Sequence, residues 1–126
     1  MNFPQNLKYT KDHEWILIED NELTIGITDF AQSELGDIVF VDVNTEGETV
    51  NAGEPFGSIE AVKTVSDLIT PVQIEVTEVN AELEDAPELV NQDPYGKGWI
   101  IKGKVLNTEG YSDLLSADEY QKLVEK

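Results

Sequence analysis

Cysteine and arginine are both missing from this 126-residue chain, and histidine occurs once. Without cysteine there is no disulfide framework, no thiolate metal site and no cysteine nucleophile. Without arginine there is no bidentate fork for phosphate or a base edge. Basic charge of any kind is scarce: eight lysines stand against 26 acidic residues, a net charge of −18. Such a field repels polyanions, which argues against nucleic acid and anionic membranes as partners. No apolar run approaches the roughly 18 residues of a membrane span, and the first eight residues carry no apolar leader. The expectation is a cytoplasmic protein.

Catalytic signatures are also absent. Gly26, Gly36, Gly47, Gly53 and Gly57 are scattered singly, so no glycine-rich phosphate loop forms. His13 has Asp12 and Glu14 beside it, but no Gly-x-Ser-x-Gly elbow supplies a nucleophile for it to activate. The acidic run containing Glu82, Glu84, Asp85 and Glu88 lacks calcium-loop spacing and reads as a solvated face. These absences predict a protein that is not an enzyme and holds no metal.

What is present is a pattern of many short strands. Hydrophobic residues make up 40% of the chain and alternate regularly, which argues for one folded domain over residues 1–126, with an N-terminal extension at 1–8 and a C-terminal helical segment at 112–126. Residues 15–18 and 23–27 read as a hairpin across a polar turn at 19–22. Thr28 or Asp29 caps a short helix to Leu35, stopped by Gly36, with Phe30, Ala31 and Leu35 facing the sheet. Residues 38–43 are apolar on both faces and predict a central strand. Further strands are predicted at 56–60, 67–72, 74–79 and 98–105, the last with Trp99, Ile101 and Val105 on one face. A helical turn is predicted at 81–86, stopped by Pro87, and Ser116 with Glu119 gives a capping box for a terminal helix. The class is mainly β, a sandwich or barrel.

One residue stands apart. From Asp12 to Gly96 there are 21 acidic side chains and a single lysine, Lys63. Its neighbours Val62, Thr64 and Val65 are β-branched and favour extended backbone, so two strands meeting there form a hairpin with the amine at its tip. An amine so placed is open to another protein and is a candidate attachment site.

The run Glu60-Ala61-Val62-Lys63-Thr64-Val65-Ser66-Asp67 resembles the lipoyl-lysine motif of the glycine cleavage system H proteins. Further similarity follows in order at Tyr9-Thr10-Lys11-Asp12-His13-Glu14-Trp15, Gly26-Ile27-Thr28-Asp29-Phe30-Ala31-Gln32, Leu35-Gly36-Asp37-Ile38-Val39-Phe40-Val41, Leu83-Glu84-Asp85-Ala86-Pro87-Glu88-Leu89-Val90-Asn91 and Asp93-Pro94-Tyr95-Gly96. The resemblance implies a barrel-sandwich hybrid of the lipoyl and biotinyl carrier type, and a lipoate covalently attached at Lys63. It also implies four partners: glycine decarboxylase (P protein), aminomethyltransferase (T protein), dihydrolipoamide dehydrogenase (L protein) and a lipoylating enzyme. By the same resemblance the loaded arm rests in a surface cleft, where His13, Glu14, Ser66 and Asp67 are the candidate contacts.

Three other readings remain open. A lipoyl or octanoyl relay in lipoate metabolism would use the same motif. A biotin carrier would usually place methionine on both sides of the lysine, where Val62 and Thr64 stand, and an unmodified interaction domain would leave the lysine free. One departure is visible: where the family usually has Pro-Val-Ser-Gly-Glu-Val, this chain has Pro71-Val72-Gln73-Ile74-Glu75-Val76. If the family's turn is kept, Ile74 is expected to be exposed or strained at positive φ.

Overall fold

The computed structural model describes residues 2–125. It is mainly β, with nine strands in two sheets that do not close into one barrel. In chain order the elements are β1 (Lys8–Tyr9), β2 (Glu14–Glu19), β3 (Glu22–Ile27), α1 (Asp29–Leu35), β4 (Ile38–Asp42), β5 (Thr49–Val50), β6 (Pro55–Ala61), β7 (Val65–Ile69), β8 (Gln73–Val79), α2 (Glu82–Asp85), α3 (Leu89–Gln92), β9 (Ile101–Asn107) and α4 (Ala117–Val124). The larger sheet runs β1-β2-β3-β9-β8-β5 and the smaller β4-β6-β7. One apolar cluster joins them: Leu23, Ile25, Ile74 and Val76 from the larger sheet meet Ile38, Phe56, Ile59 and Leu68 from the smaller. The expected sandwich is thus observed.

The outer face of the larger sheet is covered as well. Leu7, Tyr9, Trp15, Ala117 and Tyr120 form a second cluster, with Phe3, Tyr95 and Trp99 packed against it. Tyr9 and Tyr120 stack at 4.9 Å, and Phe3 meets Tyr120 edge-on at 5.4 Å. Trp15 lies opposite Gly26 across the β2–β3 ladder. A Cβ on Gly26 would sit 2.5 Å from the indole nitrogen, so the ring reaches its place only because that side chain is absent.

Several expectations need correcting. The 38–43 run is not central: β4 pairs only with β6 and forms an edge of the smaller sheet. A register shift between Ile38 and Phe40 turns Val39 (46% exposed) and Phe40 (49% exposed) outward in succession, as a bulge does. Trp99 does not share a face with Ile101: it precedes β9 and packs in the outer cluster, whereas Ile101 is in the core. Two short elements were not predicted from the sequence: residues 49–50 form β5 and pair with β8, and residues 89–92 form α3. Ile74 is neither exposed nor strained. It is fully buried in β8 between Val50 and Val105, and the only non-glycine residues at positive φ among those described are His13 and Asp20.

The caps follow the sequence closely. Thr28 is the N-cap of α1 and accepts the Ala31 N–H, and Gly36 ends the helix at φ +79°. The Ser116–Glu119 capping box starts α4.

Candidate functional site

The β6–β7 hairpin closes where predicted. The Ala61 N–H donates to the Thr64 carbonyl at 2.8 Å, leaving Val62 and Lys63 in the exposed turn. The tip is anchored from below. Val62 N–H donates to the Asp37 carbonyl at 3.1 Å, and the loop holding Asp37 is pinned by Asn91. That amide accepts the Ile38 N–H at 2.9 Å and donates to the Gly36 carbonyl at 2.8 Å and to Gln32 Oε1 at 3.1 Å. The Lys63 stem lies along Gly36: a Cβ there would be 3.2 Å from Lys63 Cε and 3.7 Å from Nζ. Glycine at 36 therefore serves twice, allowing the positive φ that ends α1 and giving the lysine stem its room.

Beside that loop is a cleft of about 410 Å³, lined by Asp12, His13, Glu14, Ile27, Phe30, Ala31, Glu34, Leu35, Ile59, Ser66, Asp67 and Leu68. All four predicted arm contacts, His13, Glu14, Ser66 and Asp67, line it together. Leu35, next to Gly36, connects the cleft to the lysine stem. Sequence reasoning missed Asp12, Phe30 and Glu34 as lining residues. Phe30 and Glu34 are four apart on α1 and hence on one helix face, a signal that could have found them.

Glu14 is the most unusual member. It is 1% exposed, at the start of β2, and its Oε2 accepts the Ile69 N–H at 2.7 Å. That bond ties the larger sheet to the end of β7 in the smaller one. Oε1 is buried with no hydrogen-bond partner among the described residues. Burial pushes the carboxyl up to about 8, against the lowering effect of the Ile69 hydrogen bond and with a small push from Asp12. A neutral acid is the cheaper form of a group so desolvated.

His13 is held in the left-handed region at φ +68°, a conformation that costs free energy for a non-glycine residue. It is fixed from behind: Tyr120 Oη lies 2.8 Å from His13 Nδ1 and 2.8 Å from Thr28 Oγ1, and Phe30 packs on the imidazole at 5.0 Å. Burial lowers the His13 pKa, although Asp12 and Glu34 act the other way. The terminal helix α4 therefore sets one wall of the cleft through Tyr120. Ser66 and Asp67, on the other wall, are exposed.

Two packed sheets that hold up an anchored hairpin tip beside a cleft define a carrier, a protein built to present and shelter a group. Residues 7–126 match the family model described as glycine cleavage H-protein. The chain is 60% identical over 124 residues to the glycine cleavage system H protein of Bacteroides fragilis, covering 98% of each chain. It is 52% identical to that of Brevibacillus brevis over the full length of both. A solved glycine cleavage system H protein from Mycobacterium marinum superposes with a TM-score of 0.88 at 42% identity, over 95% of this chain and 97% of that one. The chain belongs to the glycine cleavage H-protein family. Proteins of this family are the lipoyl carriers of glycine cleavage: they bear a covalently attached lipoate and work with the P, T and L proteins.

Proposed function

We propose that Lys63 is the attachment point of the lipoyl group, and that the cleft beside it shelters the loaded end of the arm. The observation that carries this is the pairing of an exposed lysine, propped on Gly36, with a neighbouring cleft lined by Glu14, a buried acid with one unpartnered carboxyl oxygen. Glu14 Oε1 fits the cargo's cationic nitrogen, since the aminomethyl group is an amine and the oxygen has no other donor to satisfy it. When bound, the lipoyl group supplies a sulfur that takes up the aminomethyl group and a dithiol that passes on an electron pair.

The chain's own residues do the rest. Glu14 and Asp67 offer acceptors to the amine, and Ser66 offers a hydroxyl. Arrival of a cation beside Glu14 lowers the cost of ionising it, so the carboxyl gives up its proton as the cleft fills. Ile27, Leu35, Ile59 and Leu68 exclude water from the bond between carbon and nitrogen, which would otherwise be open to hydrolysis. His13, neutral and fixed by Tyr120, closes the side toward α4. No group in this set performs chemistry by itself, so the chain acts as a non-enzymatic carrier. It is a single carrier domain that operates in the cytoplasm. Among the described residues no helix is long and apolar enough to cross a membrane.

The test is the intact mass of the wild-type chain and of Lys63→Arg, each incubated with the lipoylating enzyme. Wild type is expected to gain one lipoyl group and the variant none, because arginine offers no acylatable amine. A lipoyl mass on Lys63→Arg would overturn the assignment.

A further inference from the structure

Among the described residues, four large apolar side chains are exposed on the smaller sheet and in its hairpin turn, all close to Lys63 along the chain or across the ladder. Val62 (72% exposed) adjoins the lysine in sequence, and Val65 (63% exposed) begins the exit strand. Across the ladder Val65 faces Glu60, and Glu60 faces Phe40. Residues directly opposite on neighbouring strands point to the same side of a sheet. The next row, Val41–Ile59–Ser66, has Ile59 buried in the core, so the Phe40–Glu60–Val65 row faces solvent. Val39 joins it because the bulge in β4 turns two successive residues outward.

This patch lies on the outer face of the hairpin that holds up Lys63. It is rimmed by carboxylates: Asp37 precedes β4, Asp42 ends it, and Glu60 stands in the middle of the patch. Exposed apolar side chains gathered in one place are the mark of an interaction surface. A second copy of this chain is a poor occupant, because it would bring the same acidic rim, and a net charge of −18 on each copy, face to face.

We infer that Val39, Phe40, Val62 and Val65 form the docking surface for the enzyme that acylates Lys63, whose matching face is apolar with a basic rim. The inference rests on Lys63 being the attachment point. In the acylation step the unprotonated Nζ attacks the acyl carbon of an activated donor, a mixed anhydride or a thioester. The amide bond forms, the bond to the donor's leaving group breaks with its electron pair going to that group, and the amine releases its proton. The enzyme's reacting carbon must therefore come within bonding distance of Nζ, so its surface is forced against the residues flanking the tip. Enzymes that act on the far end of the completed arm meet no such constraint. That difference selects the acylating enzyme as the occupant of this patch.

The experiment compares wild type, Phe40→Ser, Val65→Thr and Leu106→Ser. Leu106 is equally exposed (46%) but belongs to β9 in the other sheet. Each unmodified chain is titrated against the lipoylating enzyme and its activated donor, and lipoyl mass is followed with time. Phe40→Ser and Val65→Thr are expected to lower kcat/KM for acylation about tenfold each, the loss typical of a central apolar contact, with Leu106→Ser at the wild-type rate. All four should melt together, since the altered side chains are exposed. Phe40→Ser driven to full lipoylation by excess enzyme should then accept an aminomethyl group from the decarboxylase at the wild-type rate. Acylation within twofold of wild type in both patch variants would overturn the inference. So would an equal loss in the decarboxylase step, which would make the patch a general docking face. Acylation of Lys63→Arg in the same assay would instead refute the attachment site itself, and is distinguishable from both.

Discussion

Burying the Glu14 carboxyl opposes folding, because the unfolded chain releases its proton near the usual carboxylate range of about 4.5 whereas the folded chain holds it until about 8. Between those values the folded state binds the extra proton, and stability therefore falls as pH rises, by up to about 1.4 kcal/mol per pH unit. Glu14→Gln keeps an acceptor for the Ile69 N–H and removes the titration. The variant's melting temperature, measured against wild type at each pH, is expected to gain steadily from pH 5 to pH 8. Acidic self-repulsion is common to both chains and cancels in that difference. A gap that stays constant over the range would mean that Glu14 is already ionised in the folded protein. The family resemblance put Glu14 among the candidate arm contacts but carried no sign of its burial. Inside Asp12-His13-Glu14-Trp15 it looks like one polar residue among others, and its side-chain partner, the Ile69 N–H, is 55 positions away in the chain.

Elements were legible where their signals are local. The β2–β3 hairpin, the Thr28 and Ser116 caps, the Gly36 stop and the Lys63 hairpin all rest on residues within a turn of each other. Elements defined by distant partners were misread. β4 carries the apolar pattern of a central strand but stands at an edge, because a bulge sends Val39 and Phe40 to the outside. Periodicity cannot separate an interior strand from an edge that exposes apolar side chains for a partner. β8 fails in the opposite direction. Pro71 suggested that the turn preceding Ile74 persists through it, yet Ile74 lies inside a seven-residue strand, flanked by β5 and β9. Ile74→Gly is therefore expected to destabilise the fold by about 2 to 5 kcal/mol from the lost aliphatic contacts and the cavity, with up to about 1 kcal/mol more from glycine in a strand. Urea denaturation checks this through a lowered midpoint. A midpoint at or above wild type would show that the isoleucine side chain is strained where it sits.

At the scale of the whole molecule the dominant fact is charge, −18 over 126 residues, and acylation of Lys63 would take it to −19 by removing one positive charge. The hairpin offers no compensating charge, since Lys63 is the only lysine between Asp12 and Gly96 and the chain has no arginine. A long-range field of this kind acts on encounter rates: it draws in partners with basic mouths and loses reach as salt shortens the Debye length, from about 30 Å at 0.01 M to about 3 Å at 1 M. The apolar patch around the hairpin behaves differently, because burial of apolar surface is not weakened by salt. The two contributions should separate by rate. For the lipoylated chain binding the decarboxylase, the association rate constant is expected to fall about tenfold or more from 0.01 to 1 M salt. Stopped-flow measurement across that range would provide the check. For the unmodified chain meeting its acylating enzyme, association should fall in the same way, while the dissociation rate, set by contacts at Phe40 and Val65, should change little with salt. A decarboxylase association rate indifferent to salt would mean that the acidic surface maintains solubility and plays no part in finding partners.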